Sequence, residues 1–201
     1  MHSYKTHLVA AFLNLVLFIA LYFPINNFSL NLDTNLCPTF DWEIDLPLIE
    51  WMIIPYLSIN LFFVLPLFFM RSGEARKLGI AFGVCTIIGS LSFLLIPCEN
   101  SFHRNIEQGS FQGIYNGLYL LDYQFNNIPS LHATYTTLIS LTILPNIKSF
   151  ELKLGVSMWA VSIVVSAMLT HQHNLIDILS GIALGVIAAR FMKYGNILLS
   201  K

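Results

Sequence analysis

The sequence predicts an all-α integral membrane protein, a bundle of six transmembrane helices with both termini in the cytoplasm. Three observations predict it. Of the 201 residues 56% are hydrophobic and 10% charged, with a mean hydropathy of +0.69, whereas a soluble domain carries about 25% charged residues. Six apolar segments approach the roughly 20 residues that a helix needs to cross hydrocarbon. The charges also sort by loop. Short loops rich in Lys and Arg stay in the cytoplasm, and with six spans every basic residue but Arg104 falls on the side of the termini. Acidic residues take the opposite bias, with only Glu74 and Glu151 inward. A net charge of −1 gives no electrostatic footprint for nucleic acid.

Leu8 to Phe23 forms the first expected span. A signal peptide is the competing reading, but only Lys5 precedes the segment and no small-residue cleavage site follows Tyr22-Phe23-Pro24. The first outward loop, about residues 24–48, carries Asp33, Asp41, Trp42, Glu43, Asp45 and Pro47. It leads into Trp51 to Tyr56, whose aromatic residues suit a headgroup belt. The second span is Ile49 to Met70, where Pro55 and Pro66 should kink the helix or be absorbed by its neighbours. In the third, Leu78 to Ile96, small residues permit close helix approach and Cys85 packs as a small apolar group.

The second outward loop, about residues 97–130, is long and lacks strong periodicity, so it reads as functional or disordered. Cys37 and Cys98 both lie in outward loops, where an oxidising compartment could join them, although two cysteines carry no connectivity signature. The fourth span, His132 to Leu144, is short and polar at its start. Leu154 to Leu169 and Leu175 to Met192 complete the six, and Gly181 and Gly185 in the last fit a small-xxx-small packing pattern. No repeat, low-complexity tract or hydrophilic domain appears. Residues 1–201 therefore read as a single membrane domain, with the chemistry-bearing motifs within 97–181.

Thr170 to Asp177 sets His171, His173 and a carboxylate at the mouth of the last helix. If that helix begins near Asn174, His173 and Asp177 share a face. The carboxylate can then hold one ring nitrogen and leave the other to react. Solvated histidines at a capped helix start are the bland alternative. Pro129 and Ser130 mark another helix start, with Ser130 as N-cap and its following amides facing outward. Free amides at a helix N-terminus bind anions, and both helices start on the same side of the membrane. His132 and His173 could thus converge on one phosphate. His132, His171 and His173 could also supply zinc ligands, but no Cys or Glu completes that set, and no metal or cofactor is expected. His2 and His7 lie on the other side and read as solvated.

These residues resemble the type 2 phosphatidic acid phosphatases, and among them the branch that includes the inositol phosphorylceramide synthases. The family pattern is Lys-x6-Arg-Pro, then Pro-Ser-Gly-His, then Ser-Arg-x5-His-x3-Asp. Pro129-Ser130-Leu131-His132 is similar to the second part, with Leu for Gly as in that branch. Ser166-Ala167, His173 and Asp177 keep the spacing of the third part without its arginine. The branch's Ser-Thr-x-x-Thr-Lys-Gln-His run is matched by Ser166, Thr170, Gln172 and His173, with His171 for Lys. Asp45 to Tyr56 loosely echoes another segment of the branch. The first part is met by Arg104 alone, with Asn105 for its proline and Pro97 for its lysine. The likeness covers about residues 45–181.

The resemblance implies a metal-independent lipid phosphatase or phosphotransferase without a cofactor, working on a lipid phosphate at the outward membrane face. His173, oriented by Asp177, would attack phosphorus and form a phosphohistidine, while His132 would serve as acid and then base. Ser130, the amides after it, His171 and Arg104 would hold the phosphate oxygens. The partners are then lipid phosphate and membrane lipids, with the oligomeric state open. The short chain leans toward a bacterial inner membrane with its site facing the periplasm. Two other readings stay open: a headgroup transferase like the inositol phosphorylceramide synthases, and a non-catalytic lipid-binding or transport protein. The last would favour charges buried inside spans, which the sequence almost lacks apart from Asp177.

Overall fold

Hydrocarbon offers a backbone no hydrogen bonds, so apolar runs must pair their own amides and carbonyls as helices. The computed structural model describes residues 4–32, 34–102 and 109–198, with side chains to residue 193. In chain order it contains α1 (Tyr4–Ser29), β1 (Asn35–Leu36), α2 (Asp41–Ile44), α3 (Ile53–Leu57), α4 (Ile59–Phe62), α5 (Pro66–Phe69) and α6 (Ser72–Leu95). Then follow β2 (Cys98–Glu99), α7 (Gln112–Leu121), α8 (Leu131–Ile143), α9 (Phe150–Leu169) and α10 (Leu175–Leu198). Among the described residues four helices are long and apolar enough to cross a membrane: α1, α6, α9 and α10.

The other two expected spans differ from simple helices, each for a physical reason. Residues 50–69 are a chain of short pieces, and Pro66 opens α5 at a position where a missing amide is tolerated. At the break after α3, the Ser58 hydroxyl donates to the Pro55 carbonyl at 2.6 Å and accepts the Trp159 indole N–H at 2.8 Å. The expected kink is thus a break held by side-chain bonds. Helix α8 has 13 residues, about 20 Å at 1.5 Å per residue, and it is the most enclosed helix. Ala133, Thr134, Thr136, Leu138, Ile139 and Ile143 are completely buried. Its hydroxyls turn back on the helix, with Thr134 bonding the Ser130 carbonyl and Ser140 the Thr136 carbonyl. Most of its hydroxyls are thus bonded within protein, although the buried Thr136 hydroxyl has no partner among the described residues.

Helix α1 lies at the rim, with Leu8, Phe12, Leu13 and Leu15 each more than half exposed. Its inner face carries Ala10 and Asn14, which meet Gly79 of α6. His7 shares that face and is buried, not solvated as the sequence suggested; His2 lies outside the described residues. Around α8 the main core gathers Phe62, Cys85, Phe93, Leu138, Ile139, Ile143 and Ile163. A smaller cluster of Ile53, Tyr56, Tyr115, Ala133, Ala167 and Ile178 sits beside the starts of α8 and α10.

The two long loops meet at one end of the bundle. Strands β1 and β2 pair in parallel, and a disulfide joins Cys37 to Cys98. The second loop is not featureless: it contains α7, whose Tyr115 is completely buried and donates to the Glu50 carbonyl at 3.2 Å. Asp122, just after α7, accepts from the Tyr22 hydroxyl and the Asn26 amide, both at 2.8 Å, which ties this loop to α1.

Candidate active site

Ser130 caps α8 as its sequence context suggested, its hydroxyl oxygen accepting the Ala133 amide at 3.3 Å. The amides of Leu131 and His132 open the helix and have no helical carbonyl to bond. The Ser130 amide donates to the Asp177 carbonyl at 2.9 Å, so the first turns of α8 and α10 are fastened together. Two glycines make that approach possible. A Cβ at Gly181 would strike the Ser130 carbonyl oxygen, and one at Gly185 would stand 2.7 Å from the Thr134 carbonyl oxygen. The small-xxx-small pattern is therefore the seam between α8 and α10.

That seam brings His132 and His173 together. Their ring centroids are 6.3 Å apart, with the planes at 53°. Tyr56 stacks on His132 at 4.2 Å and 12° and is itself 2% exposed. The sequence suggested a membrane-interface belt for Trp51 to Tyr56; Trp51 is half exposed as a belt residue should be, but Tyr56 faces the histidine. Proline-driven breaks in residues 50–69 turn it inward, which periodicity could not foretell.

His173 and Asp177 are both buried, and Nδ1 of the ring lies 3.4 Å from Oδ2 of the carboxylate. This is a long contact beside the usual range of about 2.7–3.2 Å. The same oxygen accepts the Asn174 amide at 2.9 Å, so one carboxylate both caps α10 and orients the ring. With the proton on Nδ1, Nε2 keeps its lone pair.

The turn between α9 and α10 is built around His171. The His171 amide bonds the Met168 carbonyl and the Gln172 amide the Ala167 carbonyl, at 2.9 and 3.0 Å, which is the Schellman arrangement. His171 occupies its left-handed position with φ 56°, where glycine is the usual residue. Its ring stacks on Phe102 at 4.4 Å and 9°, and its Nε2 lies 3.0 Å from the Leu46 carbonyl oxygen. His171 is thus engaged with both long loops. Asn100 adds a bond to the Gln172 carbonyl at 2.8 Å, and the Asn174 side chain donates to Thr39.

Sequence reasoning passed over Glu43, which it took as one more acidic loop residue. The carboxylate is completely buried, accepting the Phe40 amide at 2.8 Å and the Leu175 amide at the start of α10. Nothing in the local sequence marks it, because its second partner is remote in the chain. The expectation of two open helix starts is corrected accordingly. At α10 the two amides nearest His173, those of Asn174 and Leu175, are occupied by Asp177 and Glu43. Arg104 lies outside the described residues. Among the described residues no three His, Cys, Asp or Glu side chains form a group that could hold a metal ion.

No curated protein and no solved structure matches this chain. A family model, described as PAP2 superfamily, matches residues 51–191. The match runs from α3 into α10 and takes in Tyr56, Ser130, His132, His173 and Asp177. Spanning more than half of the chain, with the paired histidines and long apolar helices inside it, the match shows that this membrane protein belongs to the PAP2 superfamily, whose members are generally phosphatases or phosphotransferases.

Proposed function

We propose that this protein cleaves the phosphoester of a lipid phosphate through a phosphohistidine on His173, without a metal ion, at the membrane face opposite its termini. The observation that carries the reading is the 6.3 Å separation of the His132 and His173 rings, with Asp177 on Nδ1 of the latter. Reacting groups sit about 3 Å from their target before reaction, so two rings at this spacing reach opposite sides of one phosphate.

The steps balance as two displacements. The Nε2 lone pair of His173 attacks phosphorus while the bond from phosphorus to the lipid oxygen breaks, and His132 gives that oxygen its proton. Water then attacks the phosphohistidine, passing a proton to His132 and releasing inorganic phosphate with His173 free again. Ser130 and the amides of Leu131 and His132 would hold the equatorial oxygens, with Arg104 as a cation for the same charge. His171 enters as a group that docks the loops. If the substrate is a phosphodiester whose phosphorus keeps its headgroup as the lipid alcohol leaves, and a second lipid alcohol replaces water, the same steps give a headgroup transferase of the inositol phosphorylceramide synthase kind. Leu131 and the absent motif arginine favour that acceptor.

The chain reads as one domain that crosses the membrane six times with cytoplasmic termini. In support, β1 and β2 pair at one end of the bundle, and the starts of α8 and α10 meet at one end, so residues 50–69 and α8 each run counter to the long helices before and after them in the chain. A bacterial inner membrane with a periplasmic site fits this arrangement, its disulfide and its basic opposite side. The test is purified protein assayed on a panel of lipid phosphates, with and without a chelator. Phosphate release or headgroup transfer unchanged by chelator, and lost in His173→Ala, is expected. Unchanged turnover in that variant would leave a non-catalytic lipid-binding protein as the better reading.

A further inference from the structure

The geometry points to Glu43 as a positioning residue for His173, acting through the backbone at the start of α10. This rests on the reading of His173 as the nucleophile. A carboxylate on a four-residue loop helix is ordinarily solvated, and burying one is costly unless its oxygens are hydrogen-bonded. Glu43 is 0% exposed, and each oxygen takes one amide: Oε2 from Phe40, within its own helix turn, and Oε1 from Leu175. Leu175 stands two residues after His173 and opens α10, where a carboxylate also meets the positive end of the helix.

The contrast with the neighbouring helices is informative. The starts of α8 and α9 are capped locally by Ser130 and Ser149, whereas Leu175 is bonded from the first loop. Asp177 grips the Asn174 amide and Glu43 the next one, so the peptide units directly after His173 are held from two directions. The loop that presents Glu43 is itself anchored. Cys37 is joined to Cys98, and Thr39 bonds both Ser101 and the Asn174 side chain. A displaced Leu175 amide would swing the His173 ring relative to His132, which stands on the separate helix α8. Binding of phosphate at the start of α8 would be little affected, so the loss should fall on kcat and not on KM.

The test compares Glu43→Gln, Glu43→Asp, the exposed Asp41→Asn and His173→Ala in the full chain, using lipid phosphate carrying radioactive phosphorus. Gln sets an NH2 donor against an amide donor, and Asp is too short to reach both amides. The expected result for Glu43→Gln is a fall in kcat and in the rate of protein labelling of about 100-fold, the penalty of roughly 1 Å of misplacement. KM should stay within about threefold, Glu43→Asp should fall between Gln and wild type, and Asp41→Asn should match wild type. If Glu43→Gln does not fold, a kcat for Glu43→Asp equal to wild type overturns the proposal. Wild-type kcat in Glu43→Gln, or an equal loss in Asp41→Asn, also overturns it while leaving the catalytic reading intact. Retained turnover in His173→Ala overturns the catalytic reading and this inference with it.

Discussion

The Ser130 amide donates to the Asp177 carbonyl at 2.9 Å, a hydrogen bond between the first turns of two helices. It sets the axial register of α8 against α10. His132 stands two residues beyond its donor and His173 four residues before its acceptor, so the rings meet because this register is held. Helix contact without register would bury the same apolar area and leave the histidines apart.

Substitution at the seam should therefore damage stability and chemistry together. Gly181→Ala sets a methyl against the Ser130 carbonyl oxygen and 3.0 Å from the Ala133 Cβ, and overpacking of this kind costs about 1–3 kcal/mol. Gly113→Ala in α7 meets nothing within 4 Å and should gain about 0.5–1 kcal/mol. Thermal unfolding in detergent separates them, and a Gly181→Ala protein as stable as wild type would contradict the seam.

The two histidines should fail differently. His173→Ala should neither turn over nor become labelled on any substrate. His132→Ala should lose about 100- to 10,000-fold on an alkyl phosphate, the range for a missing general acid. An aryl phosphate needs little protonation of its leaving group, so this variant should still become labelled by it and then release phosphate slowly. Rapid quench of the labelled protein checks this, and equal losses on both substrates would exclude His132 as the acid.

At residue 171 the backbone and the side chain can be separated. His171→Ala and His171→Gly both lose the stacking on Phe102 and the contact with Leu46. Only glycine also relieves the left-handed backbone at φ 56°. The Gly variant should be more stable than the Ala variant by about 1 kcal/mol, with the two equally impaired in activity. Denaturation midpoints of the two proteins measure the difference; identical midpoints would mean that the turn has rearranged.

Loss of the disulfide should loosen the loop end without dismantling the bundle. Removing a native disulfide costs about 2–5 kcal/mol in small secreted domains. In a bilayer the enclosed helices stay inserted on unfolding, so Cys37→Ser with Cys98→Ser should fall at the low end, about 2 kcal/mol. Hydrogen exchange should rise first at residues 37–46 and 98–102 while α8 stays protected. Uniform exchange across both regions would place the disulfide's effect elsewhere.

Much of this protein is readable segment by segment. Long apolar runs marked α1, α6, α9 and α10, with ends that fall up to about six residues outside the apolar runs, and the spacing of His173 and Asp177 foretold their contact, since both lie within about one helical turn. Ser130 was legible as a cap from its own neighbours. Helix α8 was harder, because hydropathy measures affinity for lipid, and a helix enclosed by other helices can satisfy its Ser and Thr within protein. Helix α7 went unseen because its ten residues are too few to span a bilayer, although its apolar positions recur at helical spacing.

The sequence by itself determined the solvent, the helical class, the family likeness and the pairing of His173 with Asp177, because composition and local spacing act within one segment at a time. Only the tertiary structure decided that Tyr56 stacks on His132, that Glu43 bonds α10 and that His171 docks the loops. Those contacts join residues far apart in the chain. Their energies depend on where separate elements come to rest, and no local pattern records that.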